Sequence, residues 1–521
     1  MGFCTLQVLK VRQPVFLPSI NRTLFWYLSR RHPVLDRAFA HPKEHQSLEF
    51  QWLLARGSQS VYGALNGFDK IQTQEAWRNE VPLVEYDQLL PYIEDAMTGA
   101  PDRLWPGSVA CFAKSSGTTS TRSKFIPITR ESLVRNHYAA GHDLLAMYQR
   151  WVPNSRLFEG KSLRLAGHVL THPEFPARTG DLSAILTQNL PFWAKWRSCP
   201  NLEVALLEDW DVKMERTLDQ ALHENITSLF GVPSWLLVLL RRAREKAGVE
   251  NLHELWPNLE LFAHGAINLA PYRDSFDALF PGSRLHYMES YNATEGYFAV
   301  QDRSGVTGMA LLTNRGVYFE FIPMSAYRGT NSIAVGLGDV EVGETYAVVI
   351  STASGLWRYL PGDTVRFVST APYRIEFAGR TRLYINAFGE EVILDNAEKA
   401  MALACTESNA ELCDYTAAPW HGTSGNGGHE WLVEFHREPQ SMDGFIQTLD
   451  RTLRELNSDY DSKRTDDLIL GLPRVHAAPK GLFERWMREK GKLGGQNKVP
   501  RLWNDRTHLE SLLELRNRFQ E

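Results

Sequence analysis

Between residues 200 and 300, short apolar runs (VALL, SLFGVP, LELFAHG and RLHYMESY) alternate with helical stretches such as PSWLLVLLRRAREKAG and APYRDSFDALF. Strands interleaved with helices require βαβ crossovers, and these build a mostly parallel sheet with helices on its faces. From 305 to 385 the character changes. GVYFEFIP, ETYAVVIS, LWRYLPGDTVRFV and YRIEFAGR are short, β-rich and punctuated by glycine. An antiparallel meander or distorted β-barrel joined to the parallel sheet is expected there. Beyond this point the chain reads as a small α+β unit, with a helix near 393–404, a strand at EWLVEFH, a helix at DGFIQTLDRTLREL and a surface loop at TSGNGGH (423–429). The expected fold is therefore α/β, with a large N-terminal domain over residues 1–381 and a small C-terminal domain over 382–521.

Upstream, residues 22–56 space their apolar positions by three and four and read as helices. SVACFAK and FIPIT read as two strands around a hydroxyl-rich loop. Thr129 then caps a helix through LVRNHYAAGHDLLAMYQRW.

Charge excludes several functions. With 56 Lys and Arg against 61 Asp and Glu, the net charge of −5 supplies no global field for nucleic acid or an anionic bilayer. Partners are expected to be small molecules held at a local site. Cys4, Cys111, Cys199, Cys405 and Cys413 form no CxxC pair and read as reduced thiols, most of them buried. No apolar run reaches the roughly 18 residues of a membrane span. The N-terminus lacks the apolar region of a signal peptide, and Leu6 breaks the myristoylation pattern. A cytoplasmic protein is expected.

Five motifs carry chemistry. Ser115-Ser116-Gly117-Thr118-Thr119-Ser120-Thr121-Arg122-Ser123-Lys124 offers hydroxyl and backbone donors suited to polyphosphate oxygens, although its spacing is not that of a Walker loop and a solvated turn has the same composition. Tyr291-Asn292-Ala293-Thr294-Glu295 follows an apolar run, so Thr294 and Glu295 fall at the carboxyl end of a strand, where ligands of open α/β sheets collect. A carboxylate there can hold Mg²⁺ against phosphate, or simply face water. In Trp357-Arg358-Tyr359-Leu360-Pro361-Gly362-Asp363 a tight turn presents an acceptor-only carboxylate, fit for two ribose hydroxyls or for its own backbone. Gly379-Arg380-Thr381-Arg382 and Gly494-Gly495-Gln496-Asn497-Lys498-Val499-Pro500-Arg501 complete the set. Taken alone, the last reads as a basic surface loop. His168 and His172 in HVLTH have metal-ligand spacing on a helix, but the glutamate of HExxH is missing and Pro173 interrupts, so no metal site is expected there.

In this order, SSGTTSTRSKFIPIT, YNATEGYF, YLPGD, GRTRLYINAFGEE and GGQNKVPR resemble the auxin- and jasmonate-type acyl acid amido synthetases in their bacterial form, within the adenylate-forming superfamily. The resemblance runs from Arg30-Arg31-His32-Pro33 to the C-terminal tail. It implies ATP and Mg²⁺ as cofactors and a carboxylic acid and an amine, such as an amino acid, as substrates. By the same resemblance Ser115, Ser116, Gly117, Thr118, Thr119 and Lys124 form the phosphate loop, and Gly265 and Ala266 line the adenine. Tyr291 and Thr294 touch the nucleotide, Glu295 holds the metal, and Asp363 binds ribose with support from Arg380. Lys498 meets the reacting phosphate, and Arg382 lies at a hinge of a mobile C-terminal domain. Thr121 stands where family members often carry glycine, and Arg122 replaces a common lysine. An acyl pocket is expected among the aromatics of 130–240: Tyr138, Tyr148, Trp151, Phe192, Trp193, Trp196 and Trp235. Two other readings share the nucleotide motifs: a ligase with a thiol acceptor such as coenzyme A, and a catalytically silent nucleotide-binding protein.

Overall fold

The computed structural model describes residues 18–520 except 116–123, 172–175, 266–268, 283, 382–383, 386–389, 391, 422–426, 465–469, 494–497 and 504–505. The helices Pro18–Ser29, His32–Ala40 and Pro42–Gly57 open the chain where the spacing predicts them.

One twelve-stranded sheet dominates. Its parallel half contains Lys161–Arg164, Ile226–Gly231, Leu261–Gly265 and His286–Ala293, side by side. The crossover helix Pro233–Ala247 starts with proline at its first turn and stops at Gly248, whose φ of 66° lets it close the helix C-terminus. From Gly296–Val300 onward the pairing is antiparallel, through Met309–Leu311, Tyr373–Arg380, Asp363–Thr370, Thr345–Thr352 and Val317–Pro323. The change of direction falls at one hairpin. Ala293 pairs with Gly296, so Thr294 and Glu295 are the two residues of the turn.

The sheet is packed on both faces. Leu163, Leu229 and Phe262 point into a core with the helices Trp210–Ala221 and Pro233–Ala247. Ala263 and Met288 face the helix Tyr138–Trp151 instead, as the alternation of strand side chains requires. A third core joins Phe50, Phe68, Trp77 and Trp357 to the antiparallel half. The C-terminal residues build separate cores around the sheet of Glu411–His421, Gly427–Arg437 and Arg474–Ala478.

Three local expectations fail. VALL is not a strand: Asn201 accepts the backbone N–H of Val204 at 3.0 Å and caps the short helix Leu202–Ala205. HVLTH is not helical, because Val169–Thr171 pairs antiparallel with Arg178–Gly180. Successive strand residues face opposite ways, so the helical metal-spacing argument lapses; His172 lies outside the described residues. The expected surface loop TSGNGGH ends inside a strand. Gly427, Gly428 and His429 pair with the strand ending at His421, and buried His429 bonds Glu390 at 2.9 Å.

Cys111, Cys199 and Cys405 are buried and Cys413 partly so, all as free thiols, while Cys4 lies outside the described residues. Burial pushes the thiols of Cys199, Cys405 and Cys413 up to about 12, which leaves them inert near neutrality. Among the described residues no helix is long and apolar enough to cross a membrane.

Candidate active site

The hydroxyl-rich loop is held by two strands. Cys111–Ser115 and Lys124–Ile128 pair antiparallel, with Ser115 opposite Lys124, so the two posts of the loop stand side by side. Ser116, Gly117, Thr118 and Thr119 lie outside the described residues, as do Ala266 and Arg382. A cavity of about 1120 Å³ is lined by Ser115, Gly265, Tyr291, Thr294, Glu295, Asp363, Arg380 and Lys498. Lys124 is not on its wall. Its ammonium sits 5.6 Å from the centre of the Tyr86 ring, yet its charge still acts on Glu295.

Gly265 ends a parallel strand against its neighbour. A Cβ there would lie 2.4 Å from the carbonyl oxygen of Ser290, so only glycine fits without displacing the next strand.

Asp363 begins a strand directly after Gly362, whose φ of 87° makes the turn. The carboxylate has a partner on each oxygen. Tyr291 donates its hydroxyl to Oδ2 at 2.6 Å, and Arg380, its cross-strand neighbour, donates Nε to Oδ1 at 2.8 Å. Each carboxylate oxygen has two acceptor sites, so one on each remains for a ligand. Burial, reinforced by the negative charge of Asp363, holds the Tyr291 hydroxyl protonated. The Tyr291 ring is packed edge-on against Phe298 and Phe377, which fixes its direction.

The turn before Asp363 is braced from behind. Arg358 has φ of 43° and reaches the buried carboxylate of Glu320 with Nε at 3.1 Å and Nη2 at 3.0 Å. It also donates to the carbonyls of Arg78 and Val81.

Glu295 is buried on the switch hairpin. Burial raises its pKa and the charge of Asp363 raises it further, while Lys124 and Arg380 oppose the shift. Glu295 and Asp363 face the same cavity, and Lys124, Arg380 and Lys498 supply positive charge around them. Among the described residues no group of three or more His, Cys, Asp or Glu side chains could cage a metal.

Lys498 is partly buried on the cavity wall, while Gly494, Gly495, Gln496 and Asn497 lie outside the described residues. The chain from Pro500 to Trp503 runs beside the strand Glu411–His421, where Thr416 donates to the Pro500 carbonyl at 2.6 Å and Ala417 exchanges backbone bonds with Arg501 and Trp503. Arg501 is buried between Glu398 at 3.4 Å and Asp414 at 3.3 Å, and it also bonds the hydroxyl of Tyr272 in the large N-terminal part. Burial, then the nearby Arg380, lowers the Lys498 pKa to about 8, against the pull of Asp363 and Glu398. Arg501 closes the GGQNKVPR motif with no role legible from its neighbours, and Glu398 is not legible at all, since a lone acid on an amphipathic helix carries no signal of its own.

Of the seven aromatics expected around an acyl pocket, Tyr138, Trp193 and Trp235 line the cavity. Tyr148 is in the core, Trp151 donates to the Asp302 carbonyl at 2.7 Å, and Phe192 and Trp196 are 84% and 55% exposed.

The sheet switches from parallel to antiparallel beside Glu295 and Asp363, with Lys498 on the wall of the same cavity. The models described as GH3 family N-terminal, central and C-terminal domain match residues 31–285, 310–380 and 395–507. The chain belongs to the GH3 family, the acyl acid amido synthetases. Indole-3-acetic acid-amido synthetase GH3.3 of Arabidopsis thaliana is 24% identical over 531 residues, spanning 86% of this chain and 87% of its own. Jasmonoyl–L-amino acid synthetase JAR6 of Nicotiana attenuata is 23% identical over 533 residues, spanning 86% and 89%. Among solved structures, the GH3.15 acyl acid amido synthetase superposes with a TM-score of 0.76 at 19% identity, over 92% of this chain and 95% of the other. A 2-hydroxyisobutyryl-CoA ligase in its postadenylation state gives 0.60 at 11% identity, over 92% of each. Both share the fold.

Proposed function

We propose that this protein activates a carboxylic acid with ATP and transfers the acyl group to an amine of an amino acid, releasing AMP and pyrophosphate. The observation that carries the reading is the convergence of Asp363 with Tyr291 and Arg380, of Glu295, and of Lys498 on one cavity.

Asp363 takes the ribose hydroxyls on its two remaining acceptor sites. Ser115, Ser116, Gly117, Thr118, Thr119 and Lys124 hold the phosphates, and Gly265 and Ala266 line the adenine. Thr294 sits beside Glu295 on the hairpin and completes the nucleotide wall. The substrate carboxylate attacks the α-phosphorus and pyrophosphate leaves. Two anions must meet, so Lys498 and Arg380 stabilise the charge that builds up on the phosphate oxygens. Glu295 is the residue to hold Mg²⁺, which when bound neutralises phosphate charge and eases departure of pyrophosphate. The amine then attacks the acyl carbon and AMP leaves. Exclusion of water protects the mixed anhydride until that step.

The division at 381/382 belongs to the same proposal. The separate C-terminal cores support a lid that brings Lys498 to the phosphate. We assign the reaction to the cytoplasm, where ATP is made.

The test is carboxylate-dependent exchange of labelled pyrophosphate into ATP over a broad acid panel, followed by an acid-by-amine matrix scored by product mass. Exchange together with amide formation supports the proposal. No exchange with any acid overturns it in favour of a silent nucleotide-binding protein. Exchange that yields a thioester with coenzyme A but no amide overturns the acceptor assignment.

A further inference from the structure

The wall of the cavity away from Asp363 holds an arginine that the reaction just described does not use. Arg164 ends the parallel strand Lys161–Arg164, three strands from the hairpin strand His286–Ala293 in the order Lys161–Arg164, Ile226–Gly231, Leu261–Gly265, His286–Ala293. At ~4.8 Å per strand this puts its backbone roughly 14 Å from that strand. It stands opposite Phe230, and its guanidinium lies 4.8 Å from the Phe230 ring centre.

The other arginines on the cavity wall have partners. Arg31 pairs with Asp143, Arg241 with Glu411, Arg380 with Asp363 and Arg501 with Glu398. Arg197, also buried, is taken up by the carbonyls of Leu157 and Gly160. Among the described residues Arg164 has neither an acid nor a carbonyl, and its Nε is buried without a hydrogen-bond partner. Burial lowers its pKa to about 10, so it remains a cation near neutrality. Arginine carries five donors in a rigid fork shaped for a carboxylate, and a buried cation without a counter-charge is costly. The apolar Leu190, Trp193 and Trp235 line the same cavity, together with the polar Ser162, Arg197 and Ser228.

We infer that the acid taken by this enzyme carries a second anionic group, a carboxylate, at the end remote from the carboxyl that is adenylated, and that Arg164 receives it. The inference rests on the ligase reading above and extends it from any carboxylic acid to dicarboxylic or similarly acidic acids with an apolar middle. One carboxylate meets ATP; the other neutralises Arg164. A hydrocarbon acid of the same length leaves the guanidinium desolvated and unpaired, so selection comes from a cost imposed on the wrong substrate as well as a gain with the right one.

The experiment compares matched pairs in pyrophosphate exchange: adipate, suberate and sebacate against hexanoate, octanoate and decanoate, and 4-carboxyphenylacetate against phenylacetate. In the unaltered enzyme at least one diacid is expected to exceed its monoacid partner in kcat/KM by tenfold or more. In Arg164→Met that preference is expected to collapse or invert, and in Arg164→Lys it is expected to return in part. Calorimetric titration of the same acids, without ATP turnover, is expected to show the same reversal. If the enzyme exchanges pyrophosphate but prefers the monoacid of every pair, the inference is overturned while the ligase reading stands. It is equally overturned if Arg164→Met leaves the acid preference as it was and raises KM for the amino acid instead. Should no acid of any kind support exchange, the ligase reading itself falls and the inference falls with it.

Discussion

Tyr291 and Asp363 lie 72 positions apart in the chain, yet the tyrosine hydroxyl donates to the aspartate at 2.6 Å. One residue ends the parallel half of the sheet and the other begins an antiparallel strand. The bond therefore ties the two halves together at the point where the nucleotide is proposed to sit, and it aims the carboxylate rather than leaving it to solvent.

Removing that donor tests the aim. Tyr291→Phe keeps the ring packing against Phe298 and Phe377 but frees one carboxylate oxygen. A hydrogen bond to a charged group is worth about 1.5–3 kcal/mol, so KM for ATP in pyrophosphate exchange is expected to rise roughly tenfold or more. An unchanged KM would show that Asp363 is oriented by Arg380 alone.

Lys498 predicts the alkaline limb of the rate profile. With a pKa lowered to about 8, the amine is protonated below that pH and neutral above it. Adenylation is expected to decline as pH rises through this value. Lys498→Arg should move the decline to higher pH, because a guanidinium stays charged. Lys498→Ala should slow adenylation far more than it weakens ATP binding, measured by single-turnover adenylate formation beside equilibrium ATP titration.

Glu295 predicts a metal dependence. Glu295→Gln removes the charge at nearly constant shape, and the Mg²⁺ concentration for half-maximal exchange is expected to rise roughly tenfold, about 1.4 kcal/mol. A titration curve that superposes on that of the unaltered enzyme would contradict the ligand role.

Gly265 predicts a steric effect. Gly265→Ala puts a methyl group 2.4 Å from the Ser290 carbonyl oxygen, so the strand must shift. A loss of about 1–3 kcal/mol in denaturant unfolding is expected, together with weaker ATP binding.

The Arg358–Glu320 pair predicts where stability is vulnerable. Both side chains are almost wholly buried and 3.0 Å apart. Arg358→Ala strands the Glu320 carboxylate and is expected to cost about 3–5 kcal/mol, whereas replacing both by leucine and methionine should recover much of it. Denaturant midpoints of the three variants measure this.

Much of the architecture was legible because periodicity reports burial. The alternation of apolar runs and helices between 200 and 300 marked the parallel half, and the end of RLHYMES marked Glu295 as a strand-end residue. VALL misled because its composition suits a strand, while one side chain, Asn201, supplies the cap that makes it a helix. The end of TSGNGGH misled because its glycines suggested a loop, whereas Gly428 lets a strand lie close to Trp420; Thr423, Ser424, Gly425 and Asn426 lie outside the described residues. A basic tail suggested solvent at Lys498, because no local pattern shows that Arg501 will find Glu398 and Asp414 far away in sequence. Arg164 was invisible for a related reason. An arginine that closes a strand looks ordinary until its neighbours are known to be spoken for.

The switch of strand direction at Thr294 and Glu295 also divides the cavity wall in two. Tyr291, Glu295, Asp363 and Arg380, all proposed to handle ATP, gather along the seam and the antiparallel side, whereas Arg164, Phe230 and Trp235 belong to the parallel side. Arg164 can thus be substituted without touching Asp363 or Glu295, so the acid selection and the nucleotide handling proposed above are separable by mutation.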